Sequence, residues 1–122
     1  MSADQDTFLL DLVSLAEGLR PVLEEHLRDY GEILPTLLMA DVERWAEERA
    51  VEDRSGELAR VLLKLEASCS GGTSHVRELI GVGFAELVSV REASGQALVR
   101  LLGPCLRAEV LQAWPSWRPE TE

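Results

Sequence analysis

Apolar residues recur at intervals of three and four along this chain of 122 residues, and the alternation typical of strands is scarce. Such spacing places apolar side chains on one face of an α-helix, whereas a half-buried strand needs a spacing of two. Glycine and proline interrupt the pattern often, so each helix has to be short. We therefore predict an all-α fold of six or seven short helices, arranged as an antiparallel bundle or as a small HEAT-like helical array.

The interruptions also predict where the helices begin and end. The first helix is expected over 4–19, with Phe8, Leu12, Leu15 and Leu19 on its buried side. The others are expected over 21–30, 34–50, 55–71, 74–87, 94–102 and 104–114. We expect one domain over 1–114 and a proline-containing tail over 115–122, with Trp117 folded back onto the body.

The third predicted helix carries the most informative pattern. Its start, 37–40, is apolar on all sides and is expected inside the fold. Trp45 continues the apolar face, so it is expected in the core, while Glu43 and Glu47 are expected to face away from it. Asp41 lies at the edge of the apolar face, where a shielded carboxylate needs hydrogen bonds or a cation. We expect Asp41 to be structural, bonded to a neighbouring helix N-terminus or an arginine; the alternative is a ligand or catalytic group.

Two glycines, Gly81 and Gly83, fall inside the fifth predicted helix. Each costs about 1 kcal/mol of helix stability relative to alanine. We expect a neighbouring helix to approach closely at these positions. They do not indicate a dinucleotide site, because no strand precedes them and the third glycine of that motif is missing.

No pattern of catalytic or metal-binding residues is present. His26 and His75 fall on different helices without a partner at ligand spacing, and no Cys-x-x-Cys pair occurs. Cys69 and Cys105 could pair, but in a cytoplasmic protein we expect reduced thiols in the core and imidazoles at the surface. The sequence predicts no catalytic residue, no cofactor and no metal, hence no enzyme; the alternative is a small enzyme using Asp41, His75 or a cysteine.

The chain is strongly acidic, and its charge is unevenly distributed. Twelve basic and 22 acidic residues give a net charge of −10. Residues 1–61 hold 15 acidic and 6 basic side chains, whereas residues 62–122 hold 7 and 6. This balance disfavours nucleic acid and anionic membranes as partners and favours a basic protein.

The compartment is predicted from the start of the chain and from its apolar runs. No run approaches the length of about 18 apolar residues that a membrane span needs. The start carries Asp4 and Asp6 rather than basic residues, and Asp11 interrupts the one apolar stretch that could serve as a secretory signal. We expect a cytoplasmic protein.

The acidic first half predicts a docking face for the basic partner. Like charges four residues apart weaken a helix slightly, so a run of them is either a solvated face or a binding surface. The residues expected to bind the partner are Glu24, Glu25, Asp29, Glu43, Glu47 and Glu48.

The segment from Glu32 to Asp41, followed by Arg44 and Trp45, resembles the Leu-Pro-x-Leu-Leu-Met-Ala-Asp…Trp signature of an uncharacterised family of small all-helical bacterial proteins. Segments 78–84 and 102–104 resemble later parts of the same family. The resemblance covers nearly the whole chain and implies a helical fold without implying an activity.

Small acidic proteins of this kind are similar in size and charge to immunity proteins of bacterial toxin systems. The leading hypothesis is therefore a protein-binding inhibitor of the immunity or antitoxin type, which covers the active site of a basic toxin with its acidic helical face. The alternative is a structural or adaptor module, which could be a homodimer, with its partner packed on Trp114 and Trp117.

Overall fold

A computed structural model describes residues 3–52 and 56–117 of the chain. Within these ranges the chain forms α-helices and short 3₁₀ turns without any strand, which confirms the predicted all-α class. The helices are α1 (Ala3–Val13), α2 (Arg20–Tyr30), α3 (Pro35–Glu52), α4 (Glu57–Gly71), α5 (Ser74–Gly83), α6 (Ala93–Leu101) and α7 (Pro104–Ala113), with 3₁₀ turns at Glu17–Leu19 and Ala85–Leu87.

Helix α3 is the centre of the fold. It packs against α1, α2, α4, α5 and α6, while α7 closes the far side by packing on α4 and on the Ala85–Leu87 turn. The apolar side chains with no exposed surface come from every helix except α2. They are Leu9, Leu12, Leu19, Leu38, Met39, Val42, Ala46, Val61, Leu65, Ile80, Phe84, Val88, Leu98, Leu106 and Val110.

Several helix ends are explained by local chemistry. Pro21 lies in the first turn of α2, where its missing N–H costs nothing. Gly31 ends the helix in the left-handed region, with a φ of 75°. At α5 the Thr73 hydroxyl accepts a hydrogen bond from the Val76 N–H at 3.2 Å, so Thr73 is the cap. Ser55, where the fourth predicted helix begins, lies outside the described residues.

The first helix is shorter than predicted. It ends at Val13 rather than Leu19, and the chain then turns into the 3₁₀ turn at Glu17–Leu19. The turn is fixed from outside the segment, because the backbone N–H groups of Glu17 and Gly18 donate to the Glu57 carboxylate at 3.1 and 3.2 Å. This long-range acceptor replaces the helical hydrogen bonds that the apolar pattern alone predicted.

Leu37, which was expected inside the fold, and Leu87, at the end of the fifth predicted helix, are both exposed. Leu37 in the first turn of α3 is 46% exposed, although Leu38 and Met39 beside it are fully buried. The fifth helix stops at Gly83, because Phe84 has non-helical backbone angles, and the following 3₁₀ turn directs Leu87 outward with 45% exposure.

The prediction of a close helix approach is confirmed at Gly83. A Cβ built there would lie 2.8 Å from the Met39 Cβ, which is closer than two carbons can pack. At Gly81 the same atom would meet only the Glu109 Oε1 at 3.2 Å, at the end of a flexible side chain. The two glycines of one helix therefore have different roles.

We expect Gly83→Ala to lower the free energy of unfolding by about 1–3 kcal/mol, because it forces α3 and α5 apart. Gly81→Ala is the matched control. It should be neutral or stabilising by up to about 1 kcal/mol, since alanine favours the helix. Urea denaturation of both variants measures this, and equal effects would contradict the assigned contact.

None of the helices in the described part of the chain has both the length and the apolar character needed to cross a bilayer.

Candidate functional site

A polar cleft of about 310 Å³ lies between α2 and α3. Four carboxylates and one guanidinium line it, which gives a formal net charge of −3 with histidine neutral. The lining residues are Val22, Glu25, His26, Asp29, Tyr30, Asp41, Arg44, Trp45 and Glu48. Part of the acidic excess of the first half of the chain thus lines one concave surface.

Helical spacing explains how these residues come together. From Val22 to Tyr30 the lining residues of α2 follow the spacing i, i+3, i+4, i+7 and i+8, and those of α3 follow i, i+3, i+4 and i+7 from Asp41 to Glu48. Each helix therefore contributes one continuous face. Because α2 has no fully buried apolar side chain, it lies at the edge of the core and leaves room between the two helices.

His26 forms a buried part of the cleft wall, with 2% of its surface exposed. Its Nε2 accepts a hydrogen bond from the Leu34 backbone N–H at 3.0 Å, so this nitrogen carries no proton. The proton of the neutral ring is therefore on Nδ1, which is buried and has no hydrogen-bond partner. The prediction of a surface imidazole is wrong for His26; His75, with its side chain 64% exposed, does lie at the surface.

Asp41 lies at the cleft with its side chain one-third exposed. Its Oδ1 accepts a hydrogen bond from the Arg44 Nη1 at 2.9 Å. The predicted arginine partner is confirmed, but this arginine belongs to the same helix, so the pair does not fix the position of a neighbouring one. The pair instead places a guanidinium beside a cleft carboxylate.

The six residues predicted to bind a partner separate into two groups. Glu24, Glu25, Asp29 and Glu48 are exposed, and all of these except Glu24 line the cleft. The prediction that Glu43 and Glu47 face away from the core is wrong, because they are only 5% and 7% exposed. Replacing both glutamates with lysine would place two ammonium groups in the interior and would not test a surface.

Glu43 and Glu47 form a buried pair of carboxyl groups one helical turn apart. Burial raises the pKa of Glu43 to about 10, and the hydrogen bond to Glu47 and its negative charge act in the same direction. Burial also acts to raise the pKa of Glu47, but hydrogen bonds from Glu43, Ser89 and Ser94 outweigh it and lower the value. At neutral pH the pair holds one proton, on Glu43, while Glu47 is ionised.

Glu47 uses its charge to hold the segment that leads into α6. Its Oε2 accepts from the Ser89 backbone N–H at 2.9 Å, and its Oε1 accepts from the Ser94 hydroxyl at 2.7 Å. One oxygen of Glu43, Oε2, is buried without a partner. The pair therefore acts as a structural link between α3 and α6.

Two further acids stabilise backbone turns in the same way. Glu57 accepts the N–H groups of the Glu17–Leu19 turn described above. Glu66 accepts the backbone N–H groups of Cys105 and Leu106 at 2.8 and 3.0 Å, at the start of α7. An acid next to a helix N-terminus satisfies donors that the helix leaves open.

These acids were not predicted to be structural from the sequence, although a signal was present. Glu43 follows Met39 by four residues, and Glu66 follows Leu62 by four. An acid spaced by one turn from core residues lies on or beside the buried face. Counting these acids with the exposed ones overstated the surface charge.

The cysteines differ from the prediction. Cys69 and Cys105 form a disulfide between the end of α4 and the start of α7, with 6.1 Å between their Cα atoms. Cys69 is 5% exposed and Cys105 is partly buried. The expectation that both are reduced is therefore wrong, and neither provides a free thiol nucleophile.

A second cleft, of about 450 Å³, is mainly apolar and lies between α4 and the α6–α7 junction. We call it the apolar groove; its lining residues are Arg49, Leu58, Ala59, Leu62, Leu63, Glu66, Leu101, Leu102 and Gly103. Leu63 and Leu101 are 72% and 49% exposed. Trp114 and Trp117 pack partly buried against the core, which confirms the expected fold-back of Trp117 and disagrees with the adaptor alternative, in which both are exposed contacts.

Across residues 3–52 and 56–117, no three or more His, Cys, Asp or Glu side chains form a group that could hold a metal ion. Asp41, His75 and the two cysteines, which the enzyme alternative would use, have separate partners. Asp41 pairs with Arg44, His75 lies 3.7 Å from Asp4, and the cysteines are bonded to each other.

The fold and cleft define a small all-helical domain with a concave acidic surface. The model of the family described as Domain of unknown function (DUF7674) matches residues 10–116, so the chain belongs to that family. This confirms the predicted membership of an uncharacterised family. Comparison with curated proteins and with solved structures gives no match.

Proposed function

We propose that this chain is a non-catalytic binding protein whose acidic cleft docks a basic protein, and that it acts as an inhibitor of the immunity or antitoxin type. The observation that carries the proposal is the cleft between α2 and α3, where four carboxylates face one guanidinium. The partner would be neutralised by coverage of its basic surface, which requires no catalytic residue in this chain.

The distinction between acids that bond the backbone and acids that are exposed supports the cleft as the docking surface. Glu47, Glu57 and Glu66 each accept backbone hydrogen bonds. Glu25 and Glu48, by contrast, are exposed at the cleft, where they contribute negative potential to an approaching partner. Complementary charge of this kind increases association rates and rejects acidic competitors.

A charge-reversal experiment tests the docking surface. We expect the double variant Glu25→Lys, Glu48→Lys to associate with the basic partner at least about tenfold more slowly at low salt. The partner is first captured from the organism that encodes the chain, with the native protein as bait, and identified by mass spectrometry. Stopped-flow association rates are then measured against ionic strength.

The matched control reverses Glu78 and Glu86, which are exposed but lie outside the cleft. It changes the net charge by the same amount, so any general charge effect appears in both variants. The native rate should fall with salt, because exposed charges are screened over about 8 Å at physiological ionic strength. Equal slowing in both variants, or a rate independent of salt, would contradict docking at the cleft.

The inhibitor class has its own test. The identified partner should lose its toxic activity when the native chain is added, and its gene should lie beside the gene for this chain. An active complex would support binding without inhibition. The compartment remains a prediction: the sequence favours the cytoplasm, whereas the Cys69–Cys105 disulfide is more typical of an oxidising compartment.

The apolar groove supports a second candidate, the adaptor module. Leu63 and Leu101 at its rim are exposed apolar side chains of the kind that a protein partner covers. If the groove rather than the cleft carries the function, Leu63→Glu should remove partner capture while the Glu25, Glu48 variant retains it.

A further inference from the structure

We infer that the apolar groove binds an amphiphile with one alkyl chain and a carboxylate head, the chemistry of a free fatty acid. The alkyl chain lies between α4 and the α6–α7 junction, and the carboxylate bonds the guanidinium of Arg49. This site is separate from the acidic cleft, so the inference does not rest on the proposed inhibitor. It assigns the groove to a small ligand, whereas the adaptor module would cover it with a protein.

The size of the apolar groove suits such a ligand. Its volume of about 450 Å³ falls within the range of about 300–1,000 Å³ that ligand pockets span. Along α4 the groove extends from Leu58 to Glu66, between which the helix rises by about 12 Å. An extended decanoate chain has a similar length, so one alkyl chain can lie along the groove.

Leucine side chains form both the floor and the rim of the groove. Leu58, Leu62 and Leu102 line it but are buried, so they form the floor. Leu63 and Leu101 are exposed and stand at the rim. Each methylene group that moves from water into this surface favours binding, because apolar area is removed from water.

The α7 side of the groove is held in place. Both carboxylate oxygens of Glu66 accept backbone N–H groups, from Cys105 and Leu106. A Cβ at Gly103 would lie 2.6 Å from the Glu66 Cδ, so only glycine lets the backbone approach this acid so closely. The disulfide to Cys69 ties the same junction to α4. The groove is therefore preformed, as ligand pockets usually are.

Arg49 provides a positive group for the head of the ligand. It is the basic residue in the lining of the groove, and its side chain is 36% exposed. It pairs with Glu52 on the same helix, whose side chain is 48% exposed. Exposed pairs of this kind contribute little to stability, so a ligand carboxylate can take the place of Glu52. Guanidinium and carboxylate also match in geometry, because they can form two parallel hydrogen bonds.

The charge of the whole chain makes the head group a sharp test. A net charge of −10 attracts cations and repels anions at long range. Glu66 does not offer an equivalent site for a cationic head, because both of its oxygens are bonded to α7. A preference for an anionic amphiphile over a cationic one therefore has to come from Arg49.

Three amphiphiles test the inference with the folded, disulfide-bonded chain, each below its micelle concentration. They are decanoate, octanoate, which has a shorter chain, and decyltrimethylammonium, which has a matched chain and the opposite charge. Isothermal titration calorimetry gives each Kd, and two-dimensional ¹H–¹⁵N NMR of backbone amides locates the site. Arg49→Gln is compared with Arg28→Gln, which removes an exposed arginine from the last turn of α2.

We expect decanoate to give saturable shifts confined to the groove and to bind at least about fivefold more tightly than octanoate, which buries less alkyl chain. Decanoate should also bind at least about threefold more tightly than decyltrimethylammonium, because guanidinium bonds the carboxylate. Arg49→Gln should remove this preference by weakening decanoate binding, whereas Arg28→Gln should change neither Kd.

A second pair of variants tests the alkyl site at exposed positions, where the fold is not disturbed. Leu63→Glu should abolish saturable decanoate binding, whereas Leu10→Glu, at an exposed position of α1, should not. Tighter binding of the cation than of decanoate, or shifts spread over the surface, would overturn the inference. So would sedimentation that shows a dimer dissociated by Leu63→Glu, because a second copy would then cover the groove. Absence of decanoate binding, together with loss of partner capture in Leu63→Glu, would assign the groove to a protein instead.

Discussion

Replacing Trp45 by alanine is expected to lower the free energy of unfolding by about 3–5 kcal/mol, the range found when large buried aromatic residues are truncated. Trp45 is 6% exposed and belongs to the apolar core beside Val42 and Ala46. Its ring also lies against Gly18, where a Cβ would be 3.0 Å from the indole Nε1. A loss of this size is a large part of the stability of a small domain.

The control for this prediction is Leu37→Ala. Leu37 lies on the same helix but is 46% exposed, so its truncation should cost well under half as much. Thermal and urea unfolding followed by circular dichroism measure both. An alanine variant of Trp45 with an unchanged melting temperature would show that the tryptophan does not stabilise the core.

Glu43→Gln is expected to stabilise the chain relative to the native protein at pH 8 by about 2–4 kcal/mol more than at pH 5. The physical reason is that glutamine resembles the protonated carboxyl group, with an N–H donor for Glu47, and needs no proton. Each pKa unit of difference between folded and unfolded states corresponds to about 1.4 kcal/mol.

The direction of each pKa shift determines whether stability rises or falls with pH. The folded pKa of Glu43, about 10, lies above its ordinary value of 4.5. Its contribution to stability is therefore fully present below about pH 4.5 and is lost as the pH rises towards 10. The pKa of Glu47 is lowered, so its contribution is present above the ordinary value and is lost in acid.

Glu48→Gln provides the control, because Glu48 is adjacent in sequence but exposed. The difference in the free energy of unfolding between Glu48→Gln and the native protein should change little between pH 5 and pH 8. Urea unfolding at several pH values measures both variants. A Glu43→Gln difference that is independent of pH would contradict the assignment of the shared proton to this pair.

Local chemistry made much of the fold predictable. The turn at Gly31 and the cap at Thr73 depend on residues within a few positions, and Trp45 lies at the helical spacing that marks a buried face. Such features need no knowledge of the rest of the chain. For the same reason the helix count and the all-α class followed from the sequence.

The errors occurred where distant residues decide the outcome. The first helix ends at Val13 because Glu57, far along the chain, binds the Glu17–Leu19 turn. Glu43 is buried because α3 is surrounded by other helices, so its outer face is not a surface. The apolar pattern of a helix indicates one buried face. It does not show when a central helix is buried on several faces.

The candidate site could be predicted only in part. Glu25, Asp29 and Glu48 were identified from charge, and they line the cleft. His26 was expected at the surface, because no sequence pattern indicates that its ring accepts the Leu34 N–H. The concave shape arises from the position of α2 at the edge of the core, which is a property of the packed helices and not of either one alone.

The bond between Cys69 and Cys105 makes a covalent ring from the residues between them, which include α5, the Ala85–Leu87 turn and α6. A protease that cuts one peptide bond within this ring therefore opens the backbone without separating the fragments. In a denaturing gel the nicked chain migrates as one molecule, and it separates into two fragments when a reductant is added. Unfolding in denaturant likewise leaves the ring closed, so the unfolded chain stays more compact than an open chain of the same length.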